Sequence, residues 1–246
     1  MHPAYGLVKH DRADFAQEFL RRNPGYRAAW IASREAMHWA GTAETARGEA
    51  CRWGLAALFD PSRSVRSAPA IWSADCASQI VSLAPVLADF CGAAPLPDTA
   101  PSAEFHDGHT RQLVLDAAGV RHRFHVRTAD QSAPLAILLP PLCDPLHAAS
   151  CDAARRMFAG LSPTEATLAM RPSALQRQRL ALLLRVLDAS LAGASNREIG
   201  LRVVYPWLTG TDALSWKATS ERRRVQRLVA EARDLATSGY RALLKA

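Results

Sequence analysis

Within Thr219-Ser220-Glu221-Arg222-Arg223-Arg224-Val225-Gln226-Arg227, four arginines fall in six consecutive positions. A guanidinium keeps its charge at any biological pH. Its planar fork of donors fits phosphate oxygens or the O6 and N7 edge of guanine. Stepping about 100° per residue around a helix gathers Val225, Leu228, Val229, Ala232, Leu235 and Ala236 into one arc, the side a globular domain buries. Ser220, Arg223 and Arg227 fall opposite, and Arg222 and Arg224 flank the buried arc. Glu231 and Asp234 put negative charge on the outward side of the second half. The first two turns therefore carry the cationic surface, and recognition helices usually meet DNA with that end. On an ordinary solvated face the same run would touch only water.

Other residue types with chemical potential are less well placed. His106-Asp107-Gly108-His109 and His122-Arg123-Phe124-His125 each space two imidazoles three apart, which suits one metal ion only on a helix. The first pair reads as polar loop. The second reads as strand, where the two rings point to opposite faces. No metal and no other cofactor is expected. The five cysteines, Cys51, Cys76, Cys91, Cys143 and Cys151, are odd in number and contain no C-x-x-C pair. They read as small buried hydrophobes rather than a disulfide or zinc framework. With no Gly-rich phosphate loop, no G-x-S-x-G elbow and no recombinase pattern around Tyr240, the chain is not expected to be an enzyme.

The elements that would position the arginines are legible upstream. Ser195-Asn196-Arg197-Glu198 is a capping box, so a short helix with Ile199 and Val203 inward begins at about Asn196. Gly193 suits the C′ position of the preceding helix, a long buried one that starts at Pro172-Ser173 and whose apolar positions Leu175, Leu180, Leu182, Leu183, Val186, Leu187 and Leu191 make it the most hydrophobic helix of the chain. The order is that of a three-helix helix-turn-helix variant with an extended turn over 205–218, where Trp207, Leu214 and Trp216 could fold back on the helices. An ordinary three-helix bundle with a long loop has the same pattern. Charge separates in the same way. Residues from Cys151 onward hold 16 Lys plus Arg against 8 Asp plus Glu, and residues 1–150 hold 14 against 15, so the net charge of +7 sits in the C-terminal part. A basic module attached to a neutral one fits phosphate binding beside partner binding.

Asp11 can cap a helix carrying Phe15, Phe19 and Leu20 that ends at Asn23-Pro24, and a second helix follows with Tyr26, Trp30 and Met37 inward. Residues 73–91 read as helix or strand. Residues 92–110, with three prolines among alanines, read as a linker or long loop. Residues 111–116 and 120–127 form a hairpin around Ala117-Ala118-Gly119, and 135–139 a third strand. The expected fold class is α+β, mostly α with a small antiparallel sheet. The expected units are a helical domain over 1–91, the linker, and 111–246 with the sheet and the DNA-binding helices. No run of about 18 apolar residues could span a bilayer and Met1 to Arg12 is too polar for a secretory signal, so a cytoplasmic, nucleoid-associated protein is expected.

Phe15-Ala-Gln-Glu18-Phe19-Leu20-Arg21-Arg22-Asn23-Pro24-Gly-Tyr26, followed by Trp53-Gly54-Leu55, Asp60-Pro61 and Trp72, resembles the N-terminal regulator-like domain of FseA-like transcriptional activators carried on proteobacterial integrative and conjugative elements. Arg185-Val-Leu-Asp188-Ala189, Ala192-Gly193-Ala194-Ser195-Asn-Arg197-Glu198-Ile199, Trp216, Arg224-Val225-Gln-Arg227-Leu228-Val229 and Gly239-Tyr240-Arg241-x-Leu243-Leu244 resemble that family's C-terminal domain. A Trp-Ala-Trp is common in the family where this chain has Phe15-Ala-Gln. The resemblance implies an activator of excision and conjugative-transfer genes. One positive face of its C-terminal domain meets promoter DNA, and the opposite face meets the N-terminal domain.

On this reading Arg223, Arg224 and Arg227 contact phosphate or guanine, and Ser220 bonds a phosphate. Arg197 and Lys217 brace the backbone from outside the groove, and Thr219 and Arg222 complete the surface. Phe15, Phe19, Trp53 and Trp72 form the contact between domains. RNA polymerase and an antiactivator that captures the N-terminal domain are the further partners. The competing reading is an antiactivator that binds no DNA and sequesters a related regulator. The sequence leaves the oligomeric state open.

Overall fold

A computed structural model describes residues 10–38, 43–87, 89–128, 130, 132–168, 170–208, 216 and 219–245, without the side chains of 36–38, 43–46, 166 and 168. The fold is α+β. In chain order the elements are α1 (Arg12–Leu20), α2 (Pro24–His38), α3 (Ala43–Arg52), β1 (Ile80–Pro85), β2 (Ala103–His106), β3 (Arg111–Ala117), β4 (Val120–Val126), β5 (Leu135–Leu138), α4 (Pro145–Phe158) and α5 (Glu165–Leu168). There follow α6 (Ala174–Leu191) and α7 (Asn196–Ile199), which runs into a π turn at Gly200–Val204. Last come α8 (Ser220–Asp234), its π turn Leu235–Gly239, and α9 (Tyr240–Leu244).

Asp11 caps α1 as its position predicts. Its Oδ1 accepts from the Asp14 amide at 2.8 Å while Asp14 Oδ2 accepts from the Asp11 amide at 3.2 Å. What the sequence conceals is that Ala13 through Leu20 are all buried, so this short helix is enclosed on every side. Its polar side chains are accordingly partnered, as burial demands. Gln17 donates to the Ala68 carbonyl and accepts from the Ala70 amide, both at 2.7 Å. Glu18 pairs with Arg21 and Arg22 at 2.7 Å.

The sheet has the order β2-β3-β4-β1-β5, and its pairs are antiparallel except β1 with β4, which run parallel. The expectation of a small antiparallel sheet is thus corrected to a mixed one. Residues 80–85 supply its second-to-last strand, and a strand's alternation does not encode the direction of its partner. The β3–β4 hairpin is as read. Its two turn residues, Ala118 and Gly119, both have positive φ, which matches the twist of the flanking strands. Residues 92–110 are more than a connection, because they contain β2, and Ala94 bridges Leu135 on edge strand β5. α4 packs on β1 and β4.

One continuous core joins the N-terminal and C-terminal helices, with Phe15, Phe19, Tyr26, Leu55 and Trp72 in the same cluster as Leu183, Leu187, Ile199, Val225, Val229 and Tyr240. Several expected core positions lie elsewhere. Leu175 is 77% exposed at the first turn of α6 and Leu191 is exposed at its last turn, where the helix has run past its neighbours. Trp30 is half-buried, and the side chain of Met37 is outside the described set. Of the cysteines only Cys151 is buried, on α4 under the sheet.

His122 also sits inside, on β4, with its ring parallel to Phe124 at a centroid separation of 6.0 Å. Burial pushes its pKa down from 6.5 to about 4. A histidine neutral in the fold and protonated when unfolded favours folding above pH 6.5, and that stability is lost as pH falls toward 4. The shift corresponds to about 3 kcal/mol by linkage. His10, also buried, carries the same sign. Asp14 opposes them, since burial and then the Asp11 carboxylate raise its pKa to about 6. Urea unfolding from pH 7 to 4 isolates the His122 share. The His122→Leu variant should lose about 3 kcal/mol less than the parent over that range, and parallel profiles would rule this histidine out.

Candidate nucleic-acid interface

α8 is held by α6, α7 and the π turn after α7. Val225, Leu228, Val229, Ala232 and Ala236 are buried as the wheel requires, with Leu235 half-buried. At the helix start, the Thr219 hydroxyl accepts from the Arg222 amide at 3.2 Å and donates to the Trp216 carbonyl at 2.9 Å. Trp216 is buried against the start of the π turn after α7, so close to Gly200 that a Cβ there would stand 2.4 Å from its ring. The glycine therefore serves contact between the connection and the helix before it. Of the two other residues expected to fold back, Trp207 is 71% exposed and Leu214 lies outside the described residues.

The outer face carries the charge. Ser220, Arg223, Arg224 and Arg227 are exposed, and Arg222 is half-buried. Arg223 and Arg227 form no ion pair or hydrogen bond with the described residues. The Arg224 guanidinium lies 5.8 Å over the ring of Tyr205, and Tyr205 meets Trp207 edge to face at 5.7 Å. The Ser220 hydroxyl donates to Glu221 at 3.0 Å. Further along, Glu231 is drawn to Arg179 of α6 at 2.7 Å, and Arg233 donates to Ser190 at 2.8 Å. Of the two carboxylates in the second half, Glu231 is thus engaged between helices, and the arginines crowd the first two turns. On the preceding segment the Ser195–Glu198 capping box is formed, Arg197 is half-buried and Arg202 is exposed. Lys217 lies outside the described residues.

The opposite side of this helical platform meets the N-terminal helices. Phe15, Phe19 and Trp72 are buried in the shared core, and Trp53 packs partly buried against it. Trp72 and Tyr240 have ring centroids 6.0 Å apart, and the Tyr240 hydroxyl donates to the Trp53 carbonyl at 3.0 Å. Polar ties fix the register. Arg22 donates to Asp188 of α6 at 2.5 and 3.1 Å, and Asn23 Nδ2 donates to the Ala236 carbonyl at 2.9 Å. The sequence reading gave no tertiary role to Arg22, Asn23, Asp188 or Tyr205, and it expected Trp207 to fold back on the helices. The first three stand within the quoted family motifs, which was the available signal, but no local pattern says that Arg22 and Asp188 meet across 166 positions.

His106 is on β2 rather than in a loop and pairs with Glu104 at 2.9 Å, while His109 is exposed in the following turn. Among the described residues no group of three or more His, Cys, Asp or Glu side chains is placed to hold a metal ion. No described helix is long and apolar enough to cross a membrane.

Residues 140–245 match a family model described as a T6SS transcription factor, DNA binding domain, of the RovC type. Residues 4–56 match a second, described as a proteobacterial transcriptional regulator-like domain. No curated protein matches the chain. The first match covers α4 to α9 and so contains the whole cationic platform; the second covers α1 to α3. Both descriptions are of transcription regulators, and together they support a DNA-binding transcription regulator.

Proposed function

We propose that this chain is a sequence-specific regulator that reads duplex promoter DNA with the N-terminal half of α8, as a helix-turn-helix variant whose turn is extended over 205–218. The observation that carries the reading is the pair Arg223 and Arg227, exposed on a rigid platform and without a carboxylate partner among the described residues. Arg222 and Arg224 flank the same surface, and Arg197 and Lys217 are the residues assigned to bracing the DNA backbone from outside the groove. Ser220 can leave Glu221 for a phosphate, and Thr219 contributes by fixing the start of α8.

The division of labour assigns DNA to 111–246 and regulation to 1–91, with 92–110 between them and a core that holds both in one register. Phe15, Phe19, Trp53 and Trp72 are the aromatic share of that contact. The resemblance to activators of mobile-element excision and transfer genes makes activation the expected output. RNA polymerase and an antiactivator are then the partners of the N-terminal helices, and the nucleoid is the place of action. The test is enrichment of duplexes from a random-sequence pool by the full-length chain. A recurrent sequence motif supports the reading, and recovery of no DNA at moderate salt overturns it.

A further inference from the structure

Trp207 is the described tryptophan left largely in solvent. Trp72 and Trp216 are buried, and Trp30 and Trp53 are half-buried. It is nevertheless held. Its ring stands edge to face on Tyr205 at 5.7 Å and an interplanar angle of 85°, and Tyr205 in turn packs against the core and lies under the Arg224 guanidinium. The three side chains form a ladder running from the cationic helix to an exposed indole. Pro206 fixes φ between the two aromatics and shortens the range of positions the indole can reach.

An aromatic presented this way fits a partner that is both polyanionic and furnished with flat apolar surface. Arg223, Arg224 and Arg227 on α8 and the exposed Arg202 supply the charge complement. Duplex DNA meets both requirements, because apolar side chains beside a basic surface press against sugars or wedge at base steps. We propose that Trp207 is a DNA-contacting residue, held by Tyr205 and Arg224, that stacks or wedges at the flank of the segment met by α8. This inference rests on the DNA-binding reading above and deepens it.

The full-length chain, a duplex enriched by it from a random pool, and the Trp207→Ala and Trp207→Phe variants make the test. Trp207→Ala should bind about tenfold more weakly at every salt concentration with the slope of affinity against salt unchanged, since an indole releases no counterions. Trp207→Phe, which keeps a ring, should recover most of that loss. DNA should quench tryptophan emission in the parent, and the quenched component should be missing in Trp207→Phe. If Trp207→Ala binds as the parent does and quenching persists in Trp207→Phe, the inference falls while the DNA-binding reading stands. If the parent enriches no duplex, both fall together.

Discussion

Replacing Arg223 and Arg227 together by alanine should nearly abolish DNA binding without unfolding the protein. Each guanidinium on phosphate or a guanine edge is worth about 1 to 3 kcal/mol, so the pair should weaken binding by about 30-fold to about 20,000-fold. Neither side chain makes a described internal contact, which holds the cost in stability to about 0.5 kcal/mol or less. A salt series divides the two roles. An arginine on phosphate lowers the slope of log affinity against log salt by about 0.9 and weakens all sequences alike. An arginine on a base leaves part of the slope and relaxes the preference at one base pair. Mobility shifts with cognate and scrambled duplexes measure both, and unchanged affinity in the double variant would remove this face of α8 from the interface.

The arginine face was readable because a surface helix has to sort its residues by angle, and α8 obeys that rule over its whole length. The capping residues Asp11, Ser173, Ser195 and Thr219 were readable or nearly so for a similar reason, since a cap acts within three residues of itself. What escaped reading was set by partners far along the chain. Trp207 and Trp216 are nine positions apart in one connection, and nothing in their neighbourhood says which one Gly200 makes room for. β1 joins β4 in parallel across the β2–β3 segment, a pairing that alternation within each strand leaves undetermined. Arg22 and Asp188 both look like solvated helix residues until α1 is seen to be enclosed. The site was therefore legible where it depends on one helix and hidden where it depends on the tertiary contacts beneath that helix.

The largest effect on stability should come from Arg123, whose described hydrogen bonds do not reach α8. Its side chain is 4% exposed on β4, where Nη1 donates to Asp11 Oδ2 at 2.5 Å and Nη2 to Asp14 Oδ1 at 2.7 Å. Asp14 also accepts from Arg121 at 2.8 Å, and Arg121 reaches Asp116 at 2.9 Å. The carboxylates that cap α1 are thus also what ties that helix to the sheet. Arg123→Ala would leave two carboxylates buried and under-compensated, at a cost of about 3 to 5 kcal/mol, a large fraction of the 5 to 15 kcal/mol by which domains of this kind are stable. Because the penalty belongs to the stranded charge, combining Arg123→Ala with Asp14→Asn should recover a substantial part of it. Denaturant midpoints of the single and double variants give the coupling directly, and strict additivity would show that the ion network does not join α1 to the sheet. At temperatures where Arg123→Ala remains folded, its affinity for DNA should match the parent's, since none of the network's ion pairs reaches α8.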